Sequence, residues 1–122
     1  GNDELWGGLG ADVFRWELGD SGTEANPAID VVKDFKLQDG DVLDLRDLLI
    51  GENANNLTDY LNFSYDSNSN TTVLEVKSKG AAMNAPDQII RLENIDLVGG
   101  QDNSQVIQNL LYSGNLLVFQ SD

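Results

Sequence analysis

Residues 7–15 read GGLGADVFR, with Gly7, Gly8, Gly10, Asp12 and Phe14 at fixed offsets. The stretch matches the nonapeptide G-G-x-G-x-D-x-U-x, where U is apolar, without a mismatch. In the preceding GNDELW, Gly1, Asp3 and Leu5 fill the later half of another copy, and Asn2, Glu4 and Trp6 take the free positions. The repeat is therefore expected to continue upstream of residue 1. Glycine tolerates positive φ, so a six-residue turn can curl its carbonyl oxygens toward one point while the aspartate adds a charged oxygen. The x-U-x remainder is a short strand whose apolar side chain points inward. Two such half-turns make one coil of a parallel β-roll, with room for a cation where carbonyls of successive turns converge. An isolated Gly-Asp stretch reads equally well as a flexible turn; the half copy in register before it favours the roll.

Composition narrows the chemistry. A chain of 122 residues with 40% apolar content can form one compact domain with one core. Its 21 acidic and 7 basic side chains leave a net charge of -14, a field that repels polyphosphates and anionic lipid. Nucleic acid is excluded as a partner, and so is membrane insertion, since no apolar run approaches the ~18 residues that would span a bilayer. No basic segment followed by an apolar one opens the chain, so no removable N-terminal address is expected. Zero cysteines exclude disulfides, and zero histidines exclude a Ser-His-Asp triad and a histidine-based zinc site. The pairs Glu52 and Asp59 or Asp66 and Asp87 are no better placed for catalysis than chance would put them, and the chain is not expected to be an enzyme. Asp, Asn and glycine carbonyls are abundant, which points to a hard, oxygen-preferring cation, Ca²⁺.

Three stretches, GNDELWGGLGADVFRWELGDSGT (1–23), IDVVKDFKLQDGDVLDLRDLL (29–49) and IIRLENIDL (89–97), together resemble the calcium-binding repeats-in-toxin family exported by type I secretion. The resemblance is closest to the C-terminal target domain of large secreted bacterial adhesins, proteins of cell adhesion and biofilms. It implies a mainly β fold: the end of a calcium-binding parallel β-roll, continued by a β-sandwich-like or β-roll capping region with a few short helices. Residues 1–16 would hold the last repeats and 17–122 the capping and secretion-signal region, effectively one domain. In such rolls the last coil lacks a further nonapeptide, and the aspartates of the D-F-x5-D stretch stand in. The resemblance thus implies Asp34 and Asp41 as ligands beside Gly8, Gly10 and Asp12, with Gly1 and Asp3 serving the preceding copy. It also implies a monomeric, non-catalytic module at the cell exterior or bacterial surface, a type I secretion ABC transporter as partner during export, and upstream repeats of the same chain as neighbours. Two other readings stay open. One is a calcium-dependent glycan-binding adhesive module; the other is the terminal roll of a secreted hydrolase whose chemistry lies upstream. The ending VFQSD departs from relatives that finish in an acidic residue followed by bare hydrophobics.

Residue patterns add local expectations. In IDVVKDF, Asp30, Val32 and Asp34 are expected on one strand face and Ile29, Val31 and Phe35 toward the core. Like charges on one face repel unless a cation or solvent lies there. Asp39 and Asp41 flank Gly40 in a turn, and only one of them need bind. Asp44 is expected to cap a short helix from Leu45 to Ile50, with Gly51 as its stop. Asn56 precedes a second short helix, Phe63 and Tyr65 lead a strand that turns at DSNSN, and Thr72 to Val76 and the segment QIIRLENIDL read as half-buried strands. Val106, Ile107, Leu110 and Leu111 lie at helical spacing with Gly114 as C-cap, ahead of β-formers Leu116 to Phe119. Trp6 and Trp16 are expected to cover the end of the roll.

Overall fold

The computed structural model describes residues 4–6, 10, 12–17, 22–49 and 56–118. Glu4–Leu5 (β1) lies in one sheet and Val13–Glu17 (β2) in another, so consecutive half-copies of the repeat fall on opposite sheets. Ala28–Val32 (β3) returns beside β1 in parallel, with Val31 opposite Glu4. Val42–Asp47 (β4) returns beside β2, also in parallel, with Leu43 opposite Phe14. This alternation between two sheets is the winding of a parallel roll.

Beyond β4 the chain changes habit. A four-residue helix, Leu57–Tyr60 (α1), leads directly into the antiparallel hairpin Leu61–Asp66 (β5) and Thr71–Val76 (β6). Gln88–Glu93 (β7) pairs antiparallel with β6 on one side and parallel with β3 on the other, Ile89 opposite Ile29. Asn103–Ser113 (α2) and Leu116–Leu117 (β8) complete the described chain, β8 pairing parallel with β4. The sheets run β1-β3-β7-β6-β5 and β2-β4-β8.

One core fills the space between them. The smaller sheet contributes Phe14, Trp16, Leu43, Leu45 and Leu116; the larger contributes Val32, Leu74, Val76, Ile90 and Leu92. Full burial of an aliphatic side chain of this size stabilises by about 1.5–3 kcal/mol relative to exposure. Helix α2 lays Val106, Ile107 and Leu110 onto the core. Its start is held by Asp102, whose side chain accepts from the Gln105 N–H. It ends at Gly114, whose φ of 81° is the left-handed conformation that favours glycine, and whose N–H donates to the carbonyls of Leu110 and Leu111. The mainly β class is what the chain adopts: a parallel roll end carried on by an antiparallel cap with short helices.

Three local expectations are corrected. The helix expected over 45–50 is strand through Asp47. Leu43 and Leu45 both point into the core at strand period, and β4 is flanked by β2 and β8, so its backbone has a ladder on each side that a six-residue helix could not match. The helical spacing survives as one turn, in which the Leu48 and Leu49 amides both donate to the Leu45 carbonyl at 3.0 and 3.3 Å. In β3 the faces are the reverse of expectation: Ala28, Asp30 and Val32 are buried while Ile29 is exposed. Phe35 is in the core as expected. Trp16 is 2% exposed between the sheets, but Trp6 is 69% exposed beside the two-residue β1, with no described strand beyond β1 to pack on.

Candidate metal centre

Asp12 occupies the step from the glycine turn into β2. Gly10, two residues before it, has φ 87°, the conformation for which the repeat needs glycine. The Asp12 N–H donates to Asp41 Oδ1 at 2.9 Å, and the Asp12 carbonyl accepts from the Val42 N–H at 2.8 Å. The end of the repeat is thereby tied to the start of β4 by two bonds, the first across 29 positions of sequence.

Asp41 is the hub of this junction. It is buried, and its second carboxylate oxygen accepts from the Lys36 N–H at 2.9 Å. Its main-chain carbonyl accepts from Asn115 Nδ2 at 2.7 Å, and the Asn115 carbonyl accepts from the Leu43 N–H at 2.9 Å. Gly40, with φ 81°, closes the 3-10 turn Leu37–Asp39 that brings Asp41 inward and leaves Asp39 exposed. Of the two acidic residues flanking Gly40, Asp41 is the one placed beside Asp12.

The second oxygen of Asp12 decides the chemistry of the place. Oδ2 is buried and has no hydrogen-bond partner among the described residues. A buried carboxylate oxygen left bare is costly, and the carboxylate of Asp41 is bound to the same residue's amide. A hard cation with oxygen ligands would satisfy the bare oxygen, and the donor types present fit such an ion.

Asp34 is half-buried two residues beyond β3, on the segment whose Lys36 amide Asp41 holds. Among the described residues, no group of three or more acidic side chains converges as a metal cluster. The structure thus brings together Asp12 and Asp41 with Gly10 close in sequence, and it leaves Asp34 outside any three-carboxylate group. Gly1, Asp3 and Gly8 lie outside the described residues.

Asp30, which shares its strand with the approach to Asp34, has a different task. Its Oδ2 accepts from Trp16 Nε1 at 2.9 Å and from Gln88 Nε2 at 2.8 Å, linking β2 of one sheet to β3 and β7 of the other. A buried indole N–H requires an acceptor, which explains why a carboxylate faces the core here. Ion-pair groups also sit on the sheets, one of them around the buried Asp44. Arg46 donates through Nε and Nη2 to the two oxygens of Asp44 at 3.0 and 2.9 Å, and Lys33 bridges Glu4 and Glu93. The Arg46 guanidinium holds the Asp44 carboxyl below the ordinary carboxylate range against the opposing effect of burial. The hydrogen bonds that Lys33 donates to Glu93 and Glu4 raise its pKa above the ordinary lysine value.

Neither a known protein family nor a curated protein matches the sequence. Solved structures do. The solution structures of the R3 and R2 subunits of AlgE6, a mannuronan C5-epimerase of Azotobacter vinelandii, are each similar at TM-score 0.59 and 23% identity over all of this chain. The chain covers 61% of the R3 subunit structure and 68% of the R2 structure. At this identity the likeness is one of fold, and it extends over both the parallel windings and the antiparallel cap. Among the described residues no helix is long and apolar enough to cross a membrane.

Sequence reasoning missed two members of the junction. Asn115 reaches Asp41 across 74 positions, and no local pattern announces such a bond. The Lys36 amide is a backbone group, invisible to side-chain motifs.

Proposed function

We propose that the chain is a non-catalytic, Ca²⁺-stabilised terminal module of a secreted bacterial repeats-in-toxin protein, which caps the roll of an adhesin and carries its type I secretion signal. The observation that carries this reading is the buried, bare Asp12 oxygen beside Asp41, at the point where a parallel winding built from the glycine-aspartate repeat ends. The fold shared with the AlgE6 subunits supports it. Asp12, Asp41, Asp34 and the carbonyls of the glycine turn, Gly8 and Gly10, would hold the ion, with Gly1 and Asp3 serving the preceding coil. Bound Ca²⁺ would supply neutralising charge and oxygen coordination.

With its carboxylates unneutralised, a chain of net charge -14 repels itself and the roll end stays loose. Low cytosolic calcium keeps it threadable through an ATP-driven exporter, and external calcium saturates sites of even ~10⁻⁴ to 10⁻³ M affinity. Joining Asp12 to Asp41 closes a loop whose entropy is worth about 3 kcal/mol. The outer edges of β1 and β2, the end strands of the two sheets among the described residues, would take the strands of upstream repeats.

Calcium titration followed by circular dichroism and calorimetry tests this, in wild type and in Asp12→Ala, Asp34→Ala and Asp41→Ala. The melting midpoint should rise with Ca²⁺ in wild type, and the response should be blunted in the variants. A midpoint unmoved by Ca²⁺ or chelator, with all three variants unchanged, removes the metal assignment.

A groove of about 350 Å³ favours a second reading, the glycan-binding module. Thr58, Asn62, Glu75, Lys77 and Asn84 line it with mixed donors and acceptors suited to hydroxyl groups. Neutral oligosaccharides titrated in Ca²⁺ should then give heat that Glu75→Ala abolishes; no heat with any of them ends this reading.

A further inference from the structure

Among the described strands, β5 is the outermost of the larger sheet on the side away from β1. An outermost strand offers its free N–H and C=O groups to any strand that arrives, including that of another copy. In an antiparallel ladder alternate residues face the partner, and here Leu61, Phe63 and Tyr65 turn their main-chain groups away from β6. The first three of these outward groups are taken in order. The Leu61 N–H donates to the carbonyl of Leu57, the first residue of α1. The Leu61 carbonyl accepts from Asn103 Nδ2 at 2.7 Å, and the Phe63 N–H donates to Asn103 Oδ1 at 2.8 Å.

The primary amide of Asn103 therefore offers one donor and one acceptor to neighbouring outward groups, as a residue of an adjacent strand would. It is firmly placed. Asn103 is the first residue of α2, the cap role at that end belongs to Asp102, and the helix is seated on the core by Val106, Ile107 and Leu110. The Asn103 side chain is thus free for β5 instead of for its own helix.

We propose that Asn103 is an edge lock: its amide occupies β5 in place of a strand, so that the module cannot pair through β5 with a second copy and can be extended only at the β1/β2 side. The lock uses no cation and stands or falls independently of the metal centre.

Asn103→Ala removes both bonds, and Asn103→Ser serves in its place if the alanine variant does not fold. Sedimentation at high salt, which screens the net charge of -14, reads self-association. Wild type should remain a monomer, while the folded variant should shift toward a dimer with rising concentration and exchange its Phe63 amide several-fold faster. Adding Tyr65→Pro, which deletes the next outward N–H at an edge position where proline is tolerated, should restore the monomer. A folded Asn103 variant that sediments as a monomer at every concentration overturns the proposal, as does association that persists with Tyr65→Pro.

Discussion

The two sides of the molecule solve the same problem by different physics. At the β1/β2 side, both sheets end in parallel strands, β1 is two residues long, and Trp6 and Val13 are largely exposed. At the β5/α2 side, six-residue antiparallel strands pair in full register, a helix packs over the sheet, and the Asn103 amide fills the edge. The first side is finished by oxygen atoms, one of them bare; the second is finished by apolar packing and satisfied hydrogen bonds. A strand edge can be completed by packing alone only where enough chain returns to cover it. The β1/β2 side has no such cover among the described residues, and under the proposed function charge compensation at Asp12 and Asp41 would add to the packing of Phe14 and Trp16.

The largest effect that sharpens this contrast is expected from core truncation. Leu74→Ala in β6, fully buried, should cost about 2–5 kcal/mol in chemical denaturation. The matched change Val13→Ala on the exposed face of β2 should cost under ~0.5 kcal/mol, and equal costs would break the comparison.

Next comes the bridge between the sheets. Asp30→Ala leaves Trp16 Nε1 and Gln88 Nε2 without this acceptor and should cost about 1–3 kcal/mol, accompanied by a shift in Trp16 emission that Asp30→Asn partly avoids. A smaller loss, about 1 kcal/mol, is expected for Asp102→Ala, which removes the cap of α2; amide exchange should quicken in the first turn of that helix and stay unchanged at Asp12 and Val42.

The smallest effect is one of pH. The Arg46 guanidinium lowers the Asp44 carboxyl in the folded state, so its contribution is present above the unfolded value near ~4 and is lost as pH falls through the folded value. Wild type should melt above Asp44→Asn at neutral pH, and the gap should close under acid. A gap that widens on acidification contradicts the assignment.

Much of this architecture was legible from residue patterns, and the exceptions have physical causes. The nine-residue spacing of Leu5 and Phe14 marks the alternation between sheets, DSNSN marks the β5–β6 turn, and Val106, Ile107, Leu110 and Gly114 mark α2. The stretch LDLRDLL carries both a strand period and a helical one, and the decision in favour of strand was made by β2 and β8, neither of which is adjacent in sequence. IDVVKDF has apolar residues on both faces, so alternation could not say which face was inner; Trp16 chose, by needing an acceptor. Asp12 stands at a fixed place in the repeat, whereas Asp41 could be named only through the resemblance of the D-F-x5-D stretch to repeats-in-toxin rolls. The bonds that join them, and the contributions of Lys36 and Asn115, arise from tertiary meeting points with no local signature.

The central claim is that the β1/β2 side depends on a divalent ion and the β5/α2 side does not. Residue-resolved amide exchange in Ca²⁺ and in chelator tests it most directly. Protection at Asp12, Lys36 and Val42 should rise with Ca²⁺ while that of β5, β6 and the body of α2 holds in both conditions. Equal protection at those three amides with and without Ca²⁺ would contradict the account.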